Sequence, residues 1–257
     1  MDKLLGIRID KYSKNQLLQL VKEAVVEGKK LHIVTLNTEL LIASKSNKKL
    51  KEIINNSSIV IPESSGLYLA DNYLTSNAKP SLIRLVSSGV KTILGTRGSL
   101  PERTTGVDLG YSIASLSEKF GYKLLLLGGQ NEAAKVAAEG LKNLFPKLKV
   151  KGIYGGRFGL DDRKIFEQVQ RYNPDVIFVG FGVPKQEYWI AENLDKISAK
   201  VAIGVGGTLD FMAGKVPRAP KMVRNLGLEW AFRLAVQPWR IKRQLALIKF
   251  IKVLLRS

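Results

Sequence analysis

A chain of 257 residues that is 45% hydrophobic can form one large domain with a real core, or such a domain with an appendage. It has no cysteine, which excludes disulfides and thiolate metal sites, and its formal charge is +19. No uncharged run approaches the roughly 20 residues of a membrane span, and MDKLLGIRIDKYSK lacks the apolar core of a signal peptide, so the sequence reads as intracellular.

In chain order, Leu4 to Ile9 reads as a short first strand. Ser13 can cap a helix ending near Gly28, with Leu17, Leu20, Val21, Ala24 and Val25 as its apolar stripe. Leu31–Thr35 is a buried strand containing the single histidine, His32, which reads as a packed core residue rather than a catalytic one. Thr38 can cap the next helix. Ser58–Ile61 is a strand broken by Pro62, followed by Glu63-Ser64-Ser65-Gly66 and a short helix through Tyr73. Residues 75–99 have turn formers at both ends and an apolar middle, and read as an insertion.

The second half alternates more cleanly. Thr105 caps a helix closed by Gly121, and Tyr122–Leu127 is a strand leading through Gly128-Gly129-Gln130 into an Ala-rich helix to Phe145. Lys149–Ile153 is a strand followed by YGGRFG, and Asp161 or Asp162 opens a helix to Tyr172. Val176–Phe181 precedes Pro184 in a helix's first turn, and Val201–Val205 is the last strand. Continuous apolar strands alternating with helices predict an α/β, Rossmann-like, mostly parallel sheet covered on both faces. The composition breaks near Gly214, giving a core of residues 1–214 and an appendage of residues 215–257.

That appendage holds eleven Lys or Arg and one acid, Glu229, so +10 of the excess charge lies in its 43 residues. Trp230, Phe232, Trp239 and Phe250 run through it with many Leu and Ile. A cationic amphipathic helical segment of this kind suits an anionic membrane surface. The pI near 10 also raises nucleic acid, but the charge follows a regular apolar periodicity and no nucleic-acid motif is present, so no nucleic-acid partner is expected.

Ligands of such sheets bind beyond the carboxyl ends of the strands. Those ends carry Thr35–Glu39, Glu63–Gly66, Gly128–Gln130, Gly155–Gly159, Gly180–Gln186 and Gly206–Asp210. Glycine turns that enter helices, Gly128-Gly129 among them, suit a phosphate, although each is as readily simple strand–helix packing. G-x-G-x-x-G and G-x-x-x-x-G-K-S/T are both absent, which weakens dinucleotide and P-loop readings. There is no Asp-x-Asp and no His/carboxylate cluster, so no metal site is expected. Without a metal a bound diphosphate needs cationic side chains, and Arg233, Arg240 and Arg243 lie near helical spacing, unless they form a solvated helix face.

LPERTTGVDL (100–109), GVPKQEYWI (182–190), IGVGGTLDFMAGKVPRAP (203–220), GLEWAFRL (227–234) and PWRIKR (238–243) resemble the WecG/TagA/CpsF glycosyltransferase family. TLNTE (35–39) and IPESSG (61–66) do so more loosely. The resemblance implies inverting, metal- and cofactor-free transfer of N-acetylmannosamine or a related hexose. The donor would be a UDP-sugar and the acceptor a polyprenyl-diphosphate-linked sugar, in cell-surface polysaccharide or teichoic acid synthesis at the inner membrane face. It places the catalytic base at Glu63, donor-sugar contacts at Thr35 and Asn37, and a substrate-binding arginine at Arg103. Gln186 would be an active-site glutamine and Asp210 the nucleoside carboxylate, with Arg233, Arg240 and Arg243 closing over the diphosphate. Gln186 and Asp210 could otherwise serve only the starts of their helices. Glu63 stands where the family has aspartate, one methylene further out; it reads either as the base or as an exposed loop acid of a non-catalytic membrane-surface binder. The segment between Gly66 and Leu100 is longer than the family implies, and the sequence leaves assembly into a homo-oligomer open.

Overall fold

The computed structural model describes residues 3–76, 79–96, 98–129, 132–153, 162–238 and 241–256, and of residues 162, 225 and 242–244 the backbone alone. The first segment is not one strand as expected but a hairpin of β1 (Lys3–Leu4) and β2 (Ile7–Arg8). Leu5 and Gly6 turn it with φ of 49° and 85°. Two consecutive positive φ values make the tight turn whose twist matches paired strands. α1 (Lys14–Glu27) follows, with Ser13 and Gln16 exchanging cap hydrogen bonds and Gly28 closing it in the left-handed region.

The apolar runs then form a six-stranded parallel sheet in the order β4-β3-β8-β7-β5-β6. β3 (Leu31–Leu36), β5 (Lys123–Gly128), β7 (Val176–Gly180) and β8 (Val201–Gly204) are central, with β4 (Ile59–Pro62) and β6 (Lys149–Ile153) at the edges. One face packs on α1, α6 (Gly106–Phe120), α7 (Ala133–Leu144) and α10 (Thr208–Met212). The other packs on α2 (Thr38–Lys45), α3 (Lys48–Asn56), α8 (Asp162–Tyr172) and α9 (Lys185–Asn193). The central strands, sandwiched in this way, need apolar residues at nearly every position and read as near-continuous runs, whereas edge strand β6 alternates with Lys149 and Lys151 exposed.

β3 and β8 are neighbours, yet the helices leaving them, α2 and α10, go to opposite faces. A crevice opens where helices part in this manner. Register aligns its rim: Leu36 pairs with Pro62 and Val34 with Gly204, so the residues just beyond these strand ends emerge side by side.

The segment expected as an insertion contains a helix. α4 (Ser65–Leu74) packs against α5 (Leu82–Ile93), with Arg84 donating to the Tyr73 carbonyl and Asn72 to that of Thr96. Ser81 caps α5 through the Arg84 N–H. The tail forms α11 (Lys221–Asn225), α12 (Glu229–Val236) and α13 (Ile241–Leu255). Phe250 and Leu254 of α13 are fully buried among α2, α4 and the β1–β2 hairpin, so part of the appendage is core. No described helix is long and apolar enough to cross a membrane.

Truncating Phe250 to Ala should therefore destabilise the whole protein by about 3–5 kcal/mol, the range for buried aromatics. Urea denaturation measures it. A loss below about 0.5 kcal/mol, the scale of surface substitutions, would show that α13 is not packed as described.

Candidate active site

Glu63 follows β4 and its backbone N–H donates to the Leu36 carbonyl at 2.8 Å, which fixes it on the crevice rim. Its carboxylate Oε1 accepts the backbone N–H of Gly106 at 2.9 Å, the first residue of α6. That N–H has no partner inside the helix, and the helix dipole favours an anion there. A Cβ at 106 would lie 2.8 Å from Glu63 Oε1 and 3.1 Å from Thr208 Oγ1, so a side chain there would oblige the carboxylate to shift.

Asn37 serves the fold and the crevice together. The cap of α2 is Asn37 rather than the expected Thr38, because the Asn37 Oδ1 accepts the Leu40 N–H at 2.9 Å from an extended backbone. Its side-chain amide also lies near enough to Glu63 to favour the charged carboxylate. With the oxygen committed to the cap, the NH2 group is the part that can donate to the carboxylate.

The Glu63 carboxyl is pushed above its ordinary range, chiefly because the surrounding protein removes water from it. The Gly106 N–H opposes this, the negative charge of Glu229 adds to it, and the positive charge of Arg233 and the Asn37 amide pull it back. Arg233 and Glu229 both belong to α12, so the tail sets part of the electrostatics of the rim.

Arg233 lies 3.7 Å from Asp210 Oδ2 and stacks over the Phe211 ring at 4.5 Å. A Cβ on Gly207 would strike its guanidinium. The loop before α12 is tied down as well. Ser65 donates to the Gly227 carbonyl at 2.9 Å, and Arg103 donates to the Arg224 carbonyl at 2.7 Å. Further back, Arg218 meets Asp108 at 2.6 Å. Burial alone would raise the Asp108 carboxyl, but the Thr105 hydroxyl and Arg218 outweigh it and hold the group below its ordinary value.

Core and tail together enclose a cavity of about 240 Å³. Thr35, Asn37, Glu63, Arg103 and Gln186 line it from the core, and Glu229, Trp230 and Arg233 from the tail. Thr35 is buried, its hydroxyl donating to the Gly204 carbonyl at 2.7 Å. Gln186 Oε1 accepts the Gly206 N–H at 2.9 Å, and its amide donates to Glu187 Oε1 at 3.0 Å. Glu187 in turn meets His32 Nε2 at 3.1 Å. The chain His32–Glu187–Gln186–Gly206 holds the β8 turn from beneath the crevice, with the Glu187 side chain fully buried. His32 is a core residue as expected, but a polar one in a network. The sequence reading did not use Glu187, although it stands beside Gln186 in GVPKQEYWI.

Seven expected site residues thus share this crevice or its edge: Glu63, Thr35, Asn37, Arg103, Gln186, Asp210 and Arg233. Gly128 and Gly129 are not among its lining residues. They sit at the end of β5, with φ of 99° and 76°, where Gly129 donates to the Gly180 carbonyl at 3.1 Å. Two strands separate β5 from β3. Arg240, Trp239, Gln130 and the Gly155–Gly159 turn lie outside the described residues, and Arg243 is described only as backbone in α13. Among the described residues no three His, Cys, Asp or Glu side chains gather as metal ligands. Glu229 and Trp230 were missed as crevice residues because their signal was charge count and aromatic content, neither of which carries direction.

A carboxylate of raised proton affinity on a polar crevice that a guanidinium also lines has the chemistry to take a proton in a group transfer. Residues 2–257 match the model of the glycosyl transferase WecG/TagA/CpsF family, and the chain belongs to that family. It is 28% identical over 242 residues to an N-acetylglucosaminyldiphosphoundecaprenol N-acetyl-beta-D-mannosaminyltransferase of Staphylococcus aureus, covering 93% of this chain and 86% of the relative. A protein of the same name from strain MW2 is 28% identical over 239 residues, covering 92% and 85%.

Because Glu63 binds its proton more tightly in the folded chain than in the unfolded one, stability falls as pH rises from the ordinary glutamate range through the raised folded value. Glu63→Gln abolishes this loss. In thermal melts across that window the variant should gain on the wild type as pH rises, and a difference independent of pH would show that the carboxyl is not desolvated.

Proposed function

We propose that this glycosyl transferase moves N-acetylmannosamine or a related hexose from a UDP-sugar to a sugar carried on a polyprenyl diphosphate. The product would enter cell-surface polysaccharide or teichoic acid synthesis at the inner membrane face. The observation that carries this reading is that Glu63 and Arg233 line one crevice, with the charge of Arg233 acting on the Glu63 carboxyl. The printed names of the relatives supply the substrate class.

In the reaction the ionised Glu63 carboxylate takes the proton of an acceptor hydroxyl as that oxygen forms a bond to C1 of the donor sugar. The bond from C1 to the diphosphate oxygen breaks, and UDP departs with the electron pair. A single displacement inverts the anomeric centre. Arg233 meets the charge that grows on the leaving diphosphate, a stabilisation that acts most strongly where water is excluded. Arg240 and Arg243 join it when the tail is engaged, and no metal or cofactor is required. Asn37 and the Gly106 N–H hold the carboxylate in aim, and the lysines of the tail meet anionic lipid. Glu63 stands in the loop after β4 but lines the crevice and is only partly exposed, which favours catalysis over mere surface binding.

Release of UDP from a panel of UDP-sugars, with a GlcNAc-diphosphate-polyprenyl acceptor, tests the reading. Glu63→Gln should lower kcat about 10²–10⁴-fold, the usual worth of a positioned base. Arg233→Met should cost on the order of 10²-fold in kcat/KM, as loss of one donor to a developing anion does. Full activity in either variant, or activity abolished by chelators, contradicts this mechanism.

A further inference from the structure

A second cavity, of about 520 Å³, adjoins the crevice of about 240 Å³ and shares Asn37, Glu39, Ser64, Ser65, Gly227 and Trp230 with it. Beyond that shared end its character changes. The far walls are Leu69 of α4, Leu85 and Ile93 of α5, and Leu247, Phe250 and Ile251 of α13. Glu39, at the shared end, is its one charged lining residue among those described. The space is therefore polar where it meets Glu63 and apolar where it leaves it. An amphiphile whose sugar head lies in the crevice finds hydrocarbon walls behind it.

The two long helices that wall this cavity are also apolar on their outer sides. Leu82, Ile83, Val86 and Leu94 are 67, 83, 66 and 78% exposed at α5, and Ile241, Leu245 and Ile248 of α13 are exposed too. Soluble surfaces seldom carry such rows without a use. Lys91, Lys249 and Lys252 lie on the same two helices, a mixture that suits the boundary of an anionic bilayer. Gly89 stands inside α5, where glycine weakens a helix, and it lines the cavity. A Cβ there would meet only Leu69 Cδ1, at 3.9 Å, so a methyl group fits while a branched chain would project into the space.

We propose that this cavity receives the first isoprenyl units of the acceptor, with the outer faces of α5 and α13 seated in the lipid beside it. The proposal rests on the transferase reading above and adds to it a subsite for the hydrocarbon. The segment expected as an insertion then has a purpose: α5 supplies one wall of the lipid site.

The test uses the full-length protein with two acceptors, GlcNAc diphosphate on undecaprenol and GlcNAc diphosphate on an ethyl group. Gly89→Leu should raise KM for the undecaprenyl acceptor about tenfold, equivalent to about 1.4 kcal/mol of binding. It should leave kinetics with the ethyl acceptor unchanged, while Gly89→Ala changes neither. On the wild type, farnesyl phosphate should compete with the undecaprenyl acceptor at concentrations where inorganic phosphate does not. A wild type that uses both acceptors, with Gly89→Leu affecting both equally or neither, overturns the lipid site but leaves the transferase reading standing. A wild type that uses neither acceptor overturns the reading and the site with it. Should sedimentation show a dimer that Ile83→Asp dissociates, with chain-length preference unmoved by Gly89→Leu, the surface belongs to a second copy and the proposal fails.

Discussion

A carboxylate placed where protein has displaced water must be compensated locally or it will hold its proton. At Glu63 that compensation comes from three directions. The start of α6 supplies an N–H, Asn37 an amide, and the tail the charge of Arg233. The first two are built into the sheet and its helices. The third arrives from the C-terminal segment and is accompanied by Glu229, whose charge acts against it. The proton affinity of the group is therefore a joint property of core and tail, and neither part fixes it alone.

The scaffold makes this arrangement rigid by giving single residues two duties. The oxygen of Asn37 closes the first turn of α2, which orients the rest of its amide toward Glu63. Gly106 is the first residue of α6 and also gives Glu63 its N–H, at a place where an added Cβ would crowd the carboxylate. Behind them, Glu187 joins His32 to Gln186 and so to the turn after β8. Buried ionisable pairs of this type contribute little net stability, but losing one partner is costly, so they specify an arrangement more than they strengthen it.

The tail divides its work by face. Phe250 and Leu254 point into the core, while Ile241, Leu245 and Ile248 remain exposed on the same helix. Ion pairs and carbonyl contacts from Arg218, Arg224 and Gly227 anchor its earlier part near the crevice. The segment read from the sequence as a cationic amphipathic appendage is mostly surface among the described residues, with Val216, Ala219, Phe250 and Leu254 buried.

Much of the fold was written locally. The near-continuous apolar runs identified the strands of a sheet covered on both faces, and Ser13, Thr105, Gly28 and Gly121 marked helix ends through cap chemistry that needs only near neighbours. Residue motifs likewise pointed to Glu63, Asn37, Gln186 and Arg233. The sequence could not choose between Asn37 and Thr38 as cap, because both side chains can reach a helix N–H and only the backbone angles decide. Nor could it read α5, since most of its apolar residues face outward while Leu85 packs inward, and periodicity reports a stripe without saying which way it points. The meeting of Glu229, Trp230 and Arg233 with strand ends far away in the chain was decided by tertiary packing alone. Strand register and the parting of α2 from α10 make the crevice, and those are relations between segments that no single segment encodes.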